Sequence, residues 1–128
     1  MKRALALMFL LAGCAPGADG GDAGPPPPEG CTYLDASSCA LPSPSWQNDV
    51  LPILDRRCNS TCHAPGVGPW PLTNRADVDD WALLVFTDTE QCSMPPADAG
   101  AGNGAMTTAE RATVLNWLAC EAADAGAP

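Results

Sequence analysis

The sequence predicts a small all-α fold, a domain of about three helices joined by long loops. Apolar residues recur at helical intervals in three segments, and no segment keeps the alternation of a β-strand for long. Prolines and glycines are concentrated between those segments, where they indicate loops. The folded part is predicted to span residues 45–122, fewer than 80 residues. A core this small usually needs disulfides, a metal or a large buried cofactor.

The first predicted helix lies in SWQNDVLPILDRRC and leads to Cys58. Ser45 or Asn48 is expected to cap its start. Pro52 is tolerated only in the first turn of a helix, so the helix is predicted to begin near Asp49. The side chains at helical spacing are Trp46, Val50, Ile53, Leu54 and Arg57.

The second predicted helix is RADVDDWALLVF, which follows the proline-rich loop APGVGPWPLTN. Thr73 or Asn74 is expected to be its cap, and three aspartates near the start suit the positive end of the helix dipole. Its apolar stripe comprises Val78, Trp81, Ala82 and Val85.

The last predicted helix, in TTAERATVLNWLAC, follows a 20-residue stretch without periodicity. The first half of that stretch, QCSMPP, looks constrained, whereas ADAGAGNG is typical of a flexible insertion. Thr107 and Glu110 have the spacing of a capping box. One face of the helix is formed by Val114, Trp117 and Leu118, with Leu115 at its edge.

The N-terminal segment is predicted to be an export signal. Two basic residues precede an apolar run at residues 4–12 that is too short to cross a bilayer. The run ends in LAGC, which resembles the lipobox of bacterial lipoproteins and implies cleavage after residues 1–13 and lipidation of Cys14. An ordinary secretory signal is the alternative. Ala15 is not the aspartate associated with inner-membrane retention, so an outer-membrane anchor, on the periplasmic or surface side, is favoured.

Residues 14–44 are predicted to be a disordered tether, and residues 123–128 a disordered tail. The mature chain would keep four arginines against fifteen acids, a net charge of about −11. Such a charge excludes nucleic-acid binding through a basic surface and suits a partner protein with a basic surface.

Six cysteines remain besides Cys14, and in an exported protein they are expected to be oxidised or otherwise engaged. Three disulfides without a cofactor are one interpretation. Six cysteines allow fifteen connectivities, however, and this interpretation gives His63 no role.

CNSTCH is the motif that favours a cofactor. Cys-x-x-Cys-His attaches haem c through two thioethers, with the histidine as an iron ligand. Cys58, Cys62 and His63 keep this order, but three residues separate the cysteines instead of two. Met94, in CSMPP, is the expected second iron ligand, and Met106 is its rival. A zinc site is a poor alternative for one histidine among thiols in an oxidising compartment.

Together, VLPILDRRCNSTCH, CSMPP and MTTAERATVLNWLAC resemble the class I cytochrome c domain, and in particular the small cytochrome-c-like domains of bacterial lipoproteins. The resemblance covers residues 50–120. It implies that the last helix crosses the first with Trp117 in the seam, and that His63 donates to a carbonyl of GPWPL.

The resulting expectation is a lipid-anchored monohaem c-type cytochrome that transfers single electrons to a redox partner outside the cytoplasm, and not an enzyme. If haem takes Cys58 and Cys62, the remaining cysteines are expected to pair as Cys31–Cys39 and Cys92–Cys120. The alternative is a disulfide-stapled, cofactor-free lipoprotein domain with a binding or structural role.

Overall fold

The structure, a computed structural model, describes residues 31–32, 34–36, 38–60, 62–68, 70–96 and 105–125. The predicted signal segment with Cys14, the first part of the predicted tether, the ADAGAGNG insertion and the last three residues lie outside the described residues.

Helix α1 is a continuous helical run made of three parts, a π-helical turn Trp46–Val50, an α-helical turn Leu51–Leu54 and a second π-helical turn Asp55–Asn59. The hydroxyl of Ser45 accepts a hydrogen bond from the amide of Asn48 at 3.3 Å, so Ser45 is the cap. The helix therefore begins before the predicted start near Asp49, and Pro52 lies in its middle. The backbone hydrogen bonds of the helix follow the i→i−5 pattern just before this proline, because Pro52 has no N–H to donate.

The predicted second helix is interrupted, giving α2 at Arg75–Asp80 and α3 at Ala82–Glu90. Trp81 lies between them with φ −117° and ψ 15°, outside the helical region. The cap is Asn74, whose side-chain oxygen accepts from the amide of Asp77 at 3.0 Å. The apolar stripe is correspondingly split, because Val78 is buried while Trp81 turns toward solvent.

The last helix, α4, spans Thr108–Ala125 and has the predicted capping box. The amide of Thr107 donates to the Glu110 carboxylate at 2.8 Å, and the amide of Glu110 donates to the Thr107 hydroxyl at 3.1 Å. The same carboxylate accepts from Arg56 at 2.8 Å and from Arg57 at 3.1 Å, which joins the start of α4 to the end of α1.

The core lies where α4 packs against α1 and α3. The rings of Trp46 and Trp117 meet at a centroid distance of 5.1 Å, so Trp117 lies in the seam between the first and last helices. The buried apolar side chains are Val50, Ile53, Leu54, Leu72, Val78, Met106, Val114, Leu115, Trp117 and Leu118. The described residues contain helices and no strand, which confirms the all-α fold class. None of these helices has both the length and the hydropathy needed to cross a membrane.

Two disulfides fasten the N-terminal segment to the helices, and their pairing differs from the predicted one. Cys31 is bonded to Cys92, 61 residues later, and Cys39 is bonded to Cys120, 81 residues later. The expected Cys31–Cys39 and Cys92–Cys120 pairs are therefore corrected. The cause is tertiary, because the segment predicted to be a tether reaches both Cys92, just after α3, and Cys120 on α4. Its contact with α4 includes the amide of Ala40, which donates to the Asn116 side chain at 2.7 Å.

Candidate functional site

The end of α1 places the CNSTCH motif beside the core. Cys58 is half-buried and packs against the core cluster, whereas Cys62 is exposed. The amides of Cys62 and His63 both donate to the carbonyl oxygen of Cys58, at 3.3 and 3.0 Å. The two cysteines therefore lie one helical turn apart, and both are free thiols.

The two thiols differ in their chemistry because of their surroundings. Burial, reinforced by the neighbouring Cys62, raises the pKa of Cys58 to about 12. Cys58 therefore stays a neutral thiol at physiological pH, while Cys62 faces solvent. The thiolate is the nucleophilic form of cysteine, so Cys58 is the less reactive of the pair.

His63 is oriented by the loop that follows it. Its Nδ1 lies 2.7 Å from the carbonyl oxygen of Trp70, and the amide of Leu72 donates to the carbonyl of His63 at 3.3 Å. A carbonyl only accepts hydrogen bonds, so Nδ1 carries the proton and donates. The acceptor lies within GPWPL, where the resemblance places the partner of this histidine. The Nε2 atom of the neutral ring is then left as an acceptor.

Asn59 holds this loop in place and was not identified from the sequence. It is buried, and its amide group donates to the carbonyl of Leu72 and to the carboxylate of Asp55, both at 2.9 Å. Its side-chain oxygen accepts from the amide of Leu72 at 3.3 Å. The available signal was its position directly after Cys58, at the end of a helix, where asparagine side chains commonly bond to backbone groups.

Gly68 makes the close return of the loop feasible. A Cβ atom at this position would collide with the backbone carbonyl of Cys62. Any other residue would therefore push the loop away from the motif, and glycine is required here for close backbone approach.

A cleft opens between the motif, the loop and α3. It encloses a cavity of about 80 Å³. The rings of Trp70 and Trp81 form one wall, with a centroid distance of 5.1 Å and an interplanar angle of 45°. The lining residues are Leu54, Cys58, His63, Trp70, Leu72, Trp81, Leu84, Val85, Asp88, Thr89 and Met94.

Of the two candidate methionines, the structure brings Met94 to the cleft. Met94 lines the cleft together with Cys58 and His63 and is 46% exposed. Its amide donates to the carbonyl of Asp88 at 3.2 Å, which folds the loop back against the end of α3. Met106 is buried in the core cluster and does not line the cleft.

These findings correct the cytochrome interpretation. In the part of the chain that the structure describes, no group of three or more His, Cys, Asp or Glu side chains is placed to hold a metal ion. The cavity of about 80 Å³ is also far smaller than the roughly 300–1000 Å³ of common ligand and cofactor sites, so the cleft as folded does not fit a porphyrin. The four cysteines outside the motif form two disulfides, one fewer than the three-disulfide interpretation expected, and Cys58 and Cys62 are left as free thiols. We therefore replace the monohaem electron carrier by the disulfide-stapled alternative.

The cytochrome interpretation gave haem-binding roles to Cys58, Cys62, His63 and Met94. Because that interpretation is corrected, the function proposed below assigns them no such role. The structure brings the four side chains together, because all of them line a small pocket beside Pro95 and Pro96. Three of them also line the cleft.

Comparison of the chain with protein-family models, with curated proteins and with solved structures finds no match to any of them.

Proposed function

We propose that this chain is an exported, disulfide-stapled helical domain that binds an apolar ligand group in the cleft between Trp70, Trp81 and Met94. The observation that supports this proposal is a cavity whose apolar walls are exposed to solvent. Trp70 is 44% exposed, Leu84 47% and Met94 46%. Exposed tryptophan, leucine and methionine side chains around a cavity are typical of a binding site.

The size of the cavity limits what it accepts. An engineered apolar cavity of about 150 Å³ in another protein holds benzene. A cavity of about 80 Å³ therefore suits one compact group, with the exposed walls covering the rest of the ligand. Apolar burial contributes about 25 cal/mol per Å², so even a small group gains measurable affinity from these walls.

Export is supported by the disulfides and by the N-terminal pattern. Disulfides persist in oxidising compartments and are rare in the cytosol. The pattern MKRALALMFLLAGC supplies a route to such a compartment and a lipid anchor at Cys14. We place the domain at a membrane surface outside the cytoplasm, with the outer membrane favoured.

The binding function is tested by NMR titration with benzyl alcohol, a compact neutral aromatic probe. The indole N–H signals of Trp70 and Trp81 are expected to shift, and those of Trp46 and Trp117 in the helix seam are expected to stay. Leu84→Ser should weaken binding several-fold, because Leu84 lines the cleft. Leu83→Ser is the matched control, since the neighbouring Leu83 is 78% exposed and does not line it.

Two outcomes overturn the proposal. One is equal shifts of all four indole signals, or none, at saturating probe. The other is a Soret band from covalently attached haem in protein made with haem-attachment machinery, which would restore the cytochrome interpretation.

The anchor is tested separately by Cys14→Ser. We expect the variant to leave the membrane fraction or to remain unprocessed, because two or more acyl chains are needed for stable attachment. Normal cleavage with unchanged membrane fractionation would show that the lipid is absent.

A further inference from the structure

The cleft carries one acidic group and no arginine or lysine among its lining residues. Asp88, on α3, lines the cavity beside the two tryptophans. Its Oδ1 accepts a hydrogen bond from the hydroxyl of Ser93 at 2.8 Å, which fixes the carboxylate in place. The only other polar side chains on the lining are those of Cys58, His63 and Thr89.

No arginine of the described residues is available to neutralise Asp88. Arg57 lines a smaller pocket next to the cleft but is paired with Glu110. The other arginines are paired with Glu110, with Asp79 and Glu121, or with backbone carbonyls. The whole chain has a formal net charge of −9. The cleft is therefore a small apolar site in a negative field, a combination that favours a cation over a neutral or anionic group.

The tryptophan pair adds a second preference for positive charge. Trp70 and Trp81 both line the cleft and are 44% and 36% exposed, so part of each side chain is open to solvent. The face of an indole ring attracts cations, and quaternary ammonium groups are commonly recognised by such aromatic walls. A quaternary ammonium also has apolar methyl groups and no N–H that would need a hydrogen-bond acceptor.

We propose that the ligand group taken by the cleft is a small quaternary ammonium, held against the wall formed by the two tryptophans and beside the carboxylate of Asp88. This inference rests on the proposed binding function and specifies the chemical class of the ligand. The small cavity suits the compact, rounded shape of a trimethylammonium group better than a flat, extended one.

The test compares choline with 3,3-dimethyl-1-butanol, in which a carbon atom replaces the charged nitrogen. Both probes are titrated into the full exported protein and followed by the indole signals of Trp70 and Trp81. Choline is expected to bind about fivefold tighter or more, the range given by a cation on an aromatic face. The ratio of the two affinities is expected to fall as salt is added, because screening weakens the attraction between exposed charges.

Single substitutions test whether Asp88 and Trp81 cause the preference for choline. Asp88→Asn should reduce the affinity for choline and leave that for the neutral probe unchanged. Asp79→Asn is the control, because it removes the same charge from the neighbouring helix α2 but does not line the cleft. Trp81→Leu should keep the affinity for the neutral probe within about twofold while removing most of the preference for choline. Thermal melts of each variant confirm that it is folded.

The outcomes separate the two proposals. Equal affinity for both probes, or equal effects of Asp88→Asn and Asp79→Asn, overturns the quaternary ammonium inference and leaves the binding function standing. Absence of binding for both probes and for benzyl alcohol overturns both.

Discussion

The guanidinium of Arg111 on α4 donates a hydrogen bond to the backbone carbonyl of Thr32, 79 residues earlier in the chain, at 2.7 Å. The same group donates to the carbonyls of Thr89 at 2.9 Å and Glu90 at 2.7 Å, at the end of α3. Arg111 is only 3% exposed. One buried side chain thus satisfies terminal carbonyls of α3 and holds the segment that contains Cys31.

Replacing Arg111 by methionine is expected to lower the free energy of unfolding by about 3 kcal/mol, because one buried and two partly buried hydrogen bonds to backbone carbonyls lose their charged donor. Urea denaturation of the oxidised protein measures the change. Arg75→Met is the control and is expected to cost less than about 1 kcal/mol, since Arg75 is largely exposed and its ion pairs are solvated. Equal losses in both variants would show that Arg111 has no special role.

The disulfides are expected to supply much of the stability. Removing Cys39 and Cys120 together, both to serine, should cost about 4 kcal/mol on the chain-entropy account, given their separation of 81 residues. Peptide mapping without reduction should recover Cys31 with Cys92 and Cys39 with Cys120. Recovery of Cys92 joined to Cys120 in folded protein would contradict the structure.

The free thiols are expected to react at different rates. At pH 8, iodoacetamide should label Cys62 well before Cys58, because burial raises the pKa of Cys58 to about 12 and keeps it neutral. Mass spectrometry of timed samples gives the order of labelling. In denaturant the two rates should become similar, and a difference that persisted there would come from local sequence instead of the fold.

Glu110 is expected to make stability depend on pH below about 4. Burial opposes its ionisation, but hydrogen bonds from Arg56, from the Thr107 amide, from Arg57 and from the Thr107 hydroxyl outweigh that cost and lower its pKa to about 2. A carboxyl whose pKa is lowered by folding contributes stability above its unfolded pKa of about 4.3 and loses it as the pH falls toward 2.

Glu110→Gln should therefore lower the Tm at pH 7 and bring the variant and the parent protein closer together as the pH approaches 2. Thermal melts of both proteins between pH 2 and pH 7 measure this. Asp79→Asn, which removes an exposed carboxylate, serves as the comparison. A Tm difference that stays constant over the whole range would contradict the role given to the Glu110 carboxylate.

The features predicted correctly from the sequence are those that depend on near neighbours. The Thr107–Glu110 capping box bonds within three residues along the chain, so its spacing alone identifies it. Ser45 and Asn74 bond over the same distance, and each was one of two expected caps. The buried stripe of α4 follows in the same way from its helical periodicity.

The features missed depend on distant parts of the chain. The disulfide partners are 61 and 81 residues apart, and nothing local distinguishes the observed pairing from the expected one. The break at Trp81 also goes with a tertiary contact, because this ring packs against Trp70 in one wall of the cleft. Cys58 and His63 of the motif line the cleft, but the walls formed by Trp70, Trp81 and Leu84 are brought there by packing that no spacing records.

The two disulfides interleave along the chain, in the order Cys31, Cys39, Cys92, Cys120, and this order has a consequence for biogenesis. In the export that we propose for this chain, Cys31 and Cys39 would reach the oxidising machinery first, long before either native partner emerges. Joining the first two thiols that meet would trap a non-native loop, and the free thiols of Cys58 and Cys62 would emerge next. Correct maturation therefore requires thiol–disulfide exchange, and the yield of native protein should follow the supply of a disulfide isomerase in the host cell.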